Sequence, residues 1–163
     1  MRTNSSPFLA ALCGLLALTA LNAAWASPKI ETWETAKGAR VLFVAAPDLP
    51  ILDVRLLFDA GSARDGERSG LASLTAGMLT QGAGEWDADA IAERVESVGA
   101  QLSTGAARDS AFLSLRTLTQ EPAMETALQT AAKVLAAPRF EESDFERVRK
   151  NHLVGLRQDE QDP

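Results

Sequence analysis

Cysteine and histidine, the side chains most used in zinc sites and in nucleophilic catalysis, are scarce in this chain. The 163 residues include one cysteine, Cys13, and one histidine, His152. A zinc site needs at least three protein ligands, so a site built from cysteine and histidine alone is excluded by counting. His152 is interpreted as a core or surface residue of a helix. The alternative interpretation is a residual ligand near a former metal site.

Acidic side chains form one dense group, comprising Glu141, Glu142, Asp144 and Glu146. The group begins a predicted helix, where negative charge complements the helix macrodipole. The sequence contains no glycine-rich phosphate loop, no nucleophile elbow and no strip of basic and aromatic residues. The formal net charge of −6 argues against nucleic acid as a partner.

The most informative segment is SGLASLTAGMLTQGAG, residues 69–84. Leu71, Leu74 and Met78 recur at helical spacing, so the segment predicts a short helix that the following glycines stop. Residues at positions i and i+4 of a helix lie on one face, and two imidazoles placed there can converge on one zinc ion. A carboxylate next to them can take a proton from the zinc-bound water.

The triplet Gly70-Leu71-Ala72 and the pair Met78-Leu79 resemble the pitrilysin/insulinase metallopeptidases, which include the mitochondrial processing peptidases. Members of this family carry a Gly-Leu-Ala-His-x-x-Glu-His-Met-Leu-like segment with the zinc motif H-x-x-E-H. In that register Ser73 and Gly77 take the histidine positions and Ala76 takes the glutamate position. The resemblance therefore implies a non-catalytic member with no zinc of its own.

The family's third zinc ligand is a glutamate on a long helix, in an Arg-x-x-x-Leu-x-Glu-Glu-x-Arg-like context. Here residues 149–157 read RKNHLVGLR, which places Val154 and Gly155 at the glutamate positions. Ligand loss on two separate helices predicts that metal binding was abandoned. The sequence assigns no substrate-binding residue.

The N-terminus reads as a signal peptide, residues 1–26. Arg2 supplies a positive charge, residues 8–21 are apolar, and Ala24-Trp25-Ala26 matches the small-x-small cleavage rule. The apolar run is too short to favour a stable membrane anchor. We therefore expect cleavage after Ala26 and export, most simply to the periplasm.

Hydrophobic periodicity predicts the element order β-β-β-α-α-β-β-α-α over residues 30–163. The three first strands cover residues 30–35, 39–45 and 52–58, and the two later ones cover 101–107 and 110–118. Asp87 is expected to cap a helix that runs to about Val98. The apolar end of the third strand predicts burial on both faces. The charged loop after it, residues 60–68, is interpreted as a solvated connection, and the alternative is contact with a substrate or partner.

Two further helices follow Pro122 and Pro138. The apolar positions of the first are Met124, Leu128, Ala131, Val134 and Leu135, and those of the second are Phe145, Val148, His152 and Leu156. The resemblance then implies an α+β fold, a mainly antiparallel sheet with helices on one face. Residues 27–163 would form the N-terminal peptidase-like domain, incomplete at its C-terminus because complete family members continue further.

The resemblance implies an exported non-catalytic subunit of a heterodimeric insulinase-type peptidase. Its expected partners are a catalytic subunit that carries H-x-x-E-H and zinc, and a peptide or unfolded protein substrate. The alternative is a peptide-binding or structural envelope protein that uses the same fold without a peptidase partner. An active peptidase with other ligands is disfavoured by Ser73, Ala76 and Gly77.

Overall fold

The computed structural model describes residues 28–161, which divide after Asp48 into two compact units. The predicted signal peptide, residues 1–26, lies outside the described residues. Within residues 28–161, no helix combines the length and the apolar character that crossing a bilayer requires.

The first unit contains an antiparallel hairpin of β1 (Ile30–Glu34) and β2 (Arg40–Val44), where the sequence predicts one. The ring centroids of Trp33 and Phe43 lie 6.3 Å apart across the two strands. Such a cross-strand aromatic pair helps to hold the register of a hairpin.

The second unit is built on a three-stranded antiparallel sheet. Its strands, in spatial order, are β3 (Ile51–Phe58), β7 (Ala111–Leu118) and β6 (Gln101–Ala106). The register pairs Leu56 with Leu113 and Thr104 with Leu113 from the other side. β7 is therefore the central strand, and β3 and β6 are the edge strands of this sheet.

The two faces of the sheet differ because side chains alternate along each strand. Leu113, Leu115 and Thr117 of β7 are buried on the face that carries the helices. On the opposite face the Arg116 guanidinium pairs with the exposed Asp53 carboxylate at 2.6 Å, and its hydrogen bond holds the pKa of that carboxyl below the usual value. The α+β fold with helices on one face is thus confirmed.

Four α-helices and one small hairpin complete the second unit within the described residues. The helices are α1 (Leu71–Met78), α2 (Ala88–Glu96), α3 (Ala123–Ala136) and α4 (Glu142–Gln161). A short 3-10 helix covers Ser62–Arg64, and β4 (Gly82–Ala83) pairs with β5 (Trp86–Asp87). The predicted cap is present, because the Asp87 carboxylate accepts a hydrogen bond from the Ala90 backbone nitrogen at 2.8 Å.

The buried core lies between the helices and the inner face of the sheet. Its members are Ala83, Ile91, Val95, Ala100, Leu113, Leu115, Ala127, Ala131 and Val134. Trp86 closes one side of this core, with the Arg94 guanidinium 4.1 Å and the Lys133 ammonium 4.9 Å from its ring centroid. These contacts join α2 and α3 through cation–π attraction.

The prediction that the end of β3 is buried on both faces is wrong. Leu56, Leu57 and Phe58 are 39%, 64% and 44% exposed. Leu57 lies with Asp53 on the face opposite to the helices, while Leu56 and Phe58 lie on a strand at the edge of the sheet as described. A continuous apolar run indicates what a strand can bury, whereas its place in the sheet and the face that the helices cover decide how much it does bury.

The predicted apolar faces of the last two helices are correct only in part. In α3, Val134 is fully buried but Leu128 is 38% exposed, because the face toward the core follows Ala123, Ala127 and Ala131. In α4, only Val148 of the predicted stripe is buried, while His152 and Leu156 are exposed.

Candidate functional site

Helix α1 carries Ser73, Ala76 and Gly77, the three positions that correspond to the zinc motif of the family. Ser73 and Gly77 are half-buried, whereas Ala76 is only 3% exposed. The backbone carbonyl of Ala76 accepts a hydrogen bond from the Thr104 hydroxyl of β6 at 2.7 Å. This bond fixes α1 against the edge strand β6.

Helix α4 packs against α1 at Gly77, one of the positions that correspond to the zinc motif. A Cβ atom built at Gly77 would lie 3.3 Å from Val148 Cγ1 and 3.4 Å from His152 Cε1. The contact with Val148, which is itself buried, is tighter than most van der Waals contacts, and the one with His152 is at the limit of ordinary packing. A side chain at position 77 would therefore require Val148 to shift by a few tenths of an ångström.

His152 lies beside Gly77, but its ring is engaged by its own helix. Its Nδ1 atom is 3.1 Å from the Val148 carbonyl oxygen, and this hydrogen bond requires a proton on Nδ1. In residues 28–161, no three His, Cys, Asp or Glu side chains are grouped as a metal ion would require. The absence of zinc from the chain stays a prediction.

Val154 and Gly155, the two positions that correspond to the family's third zinc ligand, do not contact α1 as His152 and Val148 do. Val154 is 45% exposed, and a Cβ built at Gly155 would meet no atom within 4 Å. The structure thus brings His152 and Val148 to Gly77, and leaves Gly155 facing open space. Sequence reasoning did not identify Val148 as a neighbour of the motif.

The sequence model of the insulinase family, peptidase family M16, matches residues 40–162. The chain belongs to the insulinase family. The resemblance drawn from residues 70–79 is thereby confirmed. Comparison with curated proteins found no significant match.

Two solved structures have a fold similar to that of this chain. A peptidase M16 inactive domain from Pseudomonas fluorescens is 41% identical, with a TM-score of 0.79, and the match covers 83% of this chain. A protease from Helicobacter pylori is 19% identical over 76% of this chain, with a TM-score of 0.66, and supports the fold alone. The chain spans 33% and 30% of the length of these two proteins.

An apolar hollow of about 420 Å³ lies beside helix α1, the helix that corresponds to the zinc motif. We call it the apolar hollow; its lining includes Phe58, Leu71, Ala72, Ala76, Leu79 and Leu135. Ala76 thus has the edge strand on one side and this hollow on another. The apolar hollow was not predicted, although the exposed apolar end of β3 belongs to its wall.

The loop between β3 and α1 is held more firmly than a solvated connection. Gly61 is buried, and the Asp65 carboxylate accepts hydrogen bonds from the backbone nitrogens of Gly70 at 2.8 Å and Ala72 at 2.9 Å. The hydrogen bond and charge of Asp59 raise the pKa of the Arg64 guanidinium above its usual value. Most of residues 60–68 are exposed, as expected of a solvated connection, while Gly61 and Asp65 anchor the loop.

We expect the Asp65→Ala variant to lose about 1–2 kcal/mol of unfolding free energy, because two backbone donors at the start of α1 lose their acceptor. Asp65→Asn should lose less, since an amide oxygen can replace one of the two bonds. Urea denaturation followed by circular dichroism measures both. Glu67→Ala is the control in the same loop; an equal loss there would contradict the capping role of Asp65.

Proposed function

We propose that this chain is an exported, non-catalytic subunit of a heterodimeric insulinase-type zinc peptidase. It helps to hold a peptide substrate, while a partner subunit that carries H-x-x-E-H supplies the zinc and the chemistry. The similarity to an inactive M16 domain supports the non-catalytic part of this proposal. The heterodimer, the export to the periplasm and the binding of a peptide are further parts of the proposal that go beyond this similarity.

The observation that carries the proposal is helix α1, which keeps the residues flanking the zinc motif of the family but lacks the three side chains of the motif itself. Ala76 and Gly77 have no group that could bind a metal or move a proton, and Ser73 has only a neutral hydroxyl. The helix is nevertheless hydrogen-bonded to β6 through Thr104. The helix thus keeps its place beside the edge strand β6 without the side chains that would perform the chemistry.

The edge strand β6 offers the means of binding. It pairs with β7 on one side only, within the described residues. An edge strand presents unpaired backbone donors and acceptors, to which an extended peptide can add as a further strand. Peptide capture next to a partner's zinc would need no catalytic residue in this chain.

The proposal predicts that the tagged protein, isolated from the cells that produce it, brings with it a homologue that carries H-x-x-E-H. Zinc should be found in that partner and not in this chain, by metal analysis of the separated subunits. The reconstituted pair should cleave an unfolded protein faster than the partner alone. A tagged exported protein of unrelated fold is the control.

Two results would contradict the proposal. Recovery of unrelated envelope proteins alone would favour the alternative, a peptide-binding or structural envelope protein with no peptidase partner. Zinc-dependent cleavage by the purified chain on its own would show that it is an enzyme.

A further inference from the structure

A second hollow, of about 380 Å³, adjoins the edge strand β6. We call it the edge hollow; it lies between the end of α1, helix α2 and β6, and its lining includes Thr80, Gln81, Asp89, Ala92, Glu96 and Leu102. Leu102 faces the helices from β6, and Leu115, its partner on the central strand, is only 1% exposed. Leu102 is thus the residue through which β6, an edge strand within the described residues, contributes to the wall of the edge hollow.

The charged groups that line the edge hollow are both acidic. Asp89 and Glu96 are seven residues apart on α2, so together with Ala92 they lie on one face of that helix. Neither carboxylate forms an ion pair with another described residue. The Arg147 guanidinium donates a hydrogen bond to Gln81 Oε1 at 2.9 Å and is paired with Asp144 at 2.6 Å.

We propose that the edge hollow receives a lysine or arginine side chain of an extended peptide that pairs with β6. This inference rests on the proposed function, and specifies the peptide class that the same edge would bind. A peptide residue opposite Leu102 would point to the same face of the sheet as Leu102, because cross-strand neighbours share a face. Its side chain would enter the edge hollow between Asp89 and Glu96.

The mixed lining suits a long basic side chain better than an apolar or an acidic one. Leu102 and Ala92 can pack against its aliphatic stem, while the carboxylates of Asp89 and Glu96 attract its cationic head. An acidic peptide residue would meet like charge at the same place. The net charge of −6 adds a weak, longer-range attraction for basic peptides.

The test uses fluorescence anisotropy of the purified protein with three short labelled peptides of β-forming sequence. They are identical except for a central lysine, glutamine or glutamate. We expect the lysine peptide to bind about three to ten times more tightly than the glutamine peptide at low salt, since exposed ion pairs contribute modestly and are screened by salt. The glutamate peptide should bind most weakly.

The double variant Asp89→Asn, Glu96→Gln should lose the preference for lysine and keep its affinity for the glutamine peptide. Glu93→Gln is the matched control, because Glu93 lies on the same helix but outside the edge hollow. Two further lysine peptides would be methylated on the odd-numbered or on the even-numbered backbone nitrogens. Only one of the two should lose affinity, because alternate N–H groups of a paired strand point toward the partner strand and away from it.

Outcomes other than these contradict either the edge-hollow inference alone or the proposed function as well. Equal binding of all three peptides, or a lysine preference that the double variant keeps, overturns the edge-hollow inference and leaves the proposed function standing. Absence of binding by every peptide overturns the peptide-holding role in the proposed function as well. Self-association through β6, detected by sedimentation, would mean that a second copy covers the edge and would also overturn the inference.

Discussion

Replacing Gly61 with alanine is expected to lower the unfolding free energy by about 3 kcal/mol, at the upper end of overpacking costs. A Cβ at this position would lie 2.3 Å from the Ser110 backbone nitrogen and 2.4 Å from the Arg108 carbonyl oxygen. The Arg108 carbonyl also accepts a hydrogen bond from the Ala63 nitrogen at 2.8 Å. Because the obstructing atoms belong to the backbone, a change of rotamer cannot relieve the clash.

The matched control is Gly155→Ala, the same chemical change on helix α4. A Cβ there meets nothing within 4 Å, so we expect a gain of up to about 1 kcal/mol from helix propensity. Both variants are compared by urea denaturation, with circular dichroism to follow unfolding. A similar change in stability for the two variants would mean that the loop after β3 is not docked on the β6–β7 turn.

The sequence predicts best those elements whose signal is local. Asp87 is a capping residue followed by an apolar face at Ile91 and Val95, and the structure has the cap and the buried face. The hairpin around Lys37 and Gly38 has a turn signal between two alternating strands. In these cases the residues that determine the element lie within it.

Features set by distant neighbours escape such reasoning. Leu57 is exposed because it shares the face of Asp53 and Arg55, opposite to the helices, and periodicity does not encode which face the helices cover. The two-residue strands β4 and β5 lack enough residues to show alternation. Leu128 fits the helical period as well as Val134 does, but the sheet lies toward the alanine face of α3.

In the candidate site, too, local sequence identifies some features and misses those that depend on distant residues. The family register identifies Ser73, Ala76 and Gly77 from the residues around them. The contact of Gly77 with Val148 and His152 joins residues far apart in sequence, so no local pattern reveals it. The same holds for the hydrogen bond from Thr104 to Ala76, which connects the motif helix to the edge strand.

Restoring the zinc motif with Ser73→His, Ala76→Glu and Gly77→His is expected to destabilise the protein by several kcal/mol without producing a stoichiometric zinc site. A glutamate at position 76 would place a carboxylate where the residue is 3% exposed and one wall is apolar, at a cost of about 3 kcal/mol. A histidine at position 77 would press on Val148, which adds about 1–3 kcal/mol. Gly155, at the third-ligand position, offers no side chain.

The single changes separate these costs. Ala76→Met should cost less than about 1.5 kcal/mol, because apolar atoms can enter the apolar hollow without a charge. The cost of Ala76→Glu should grow with pH: burial raises the folded-state pKa of the new carboxyl above its unfolded value of about 4.3, so stability present below that pH is lost as pH rises. Adding Val148→Ala to Gly77→His should recover part of the loss caused by the imidazole.

Zinc content after dialysis and urea denaturation at two pH values test the triple variant directly. The expected result is a substoichiometric metal content and a lowered denaturation midpoint. A full equivalent of zinc with unchanged stability would contradict our account, because the site would then differ from a catalytic one only in its three side chains. The expected result would mean instead that the packing of α4 on α1 has closed the space where a metal could lie, so that recovery of activity would require changes on both helices.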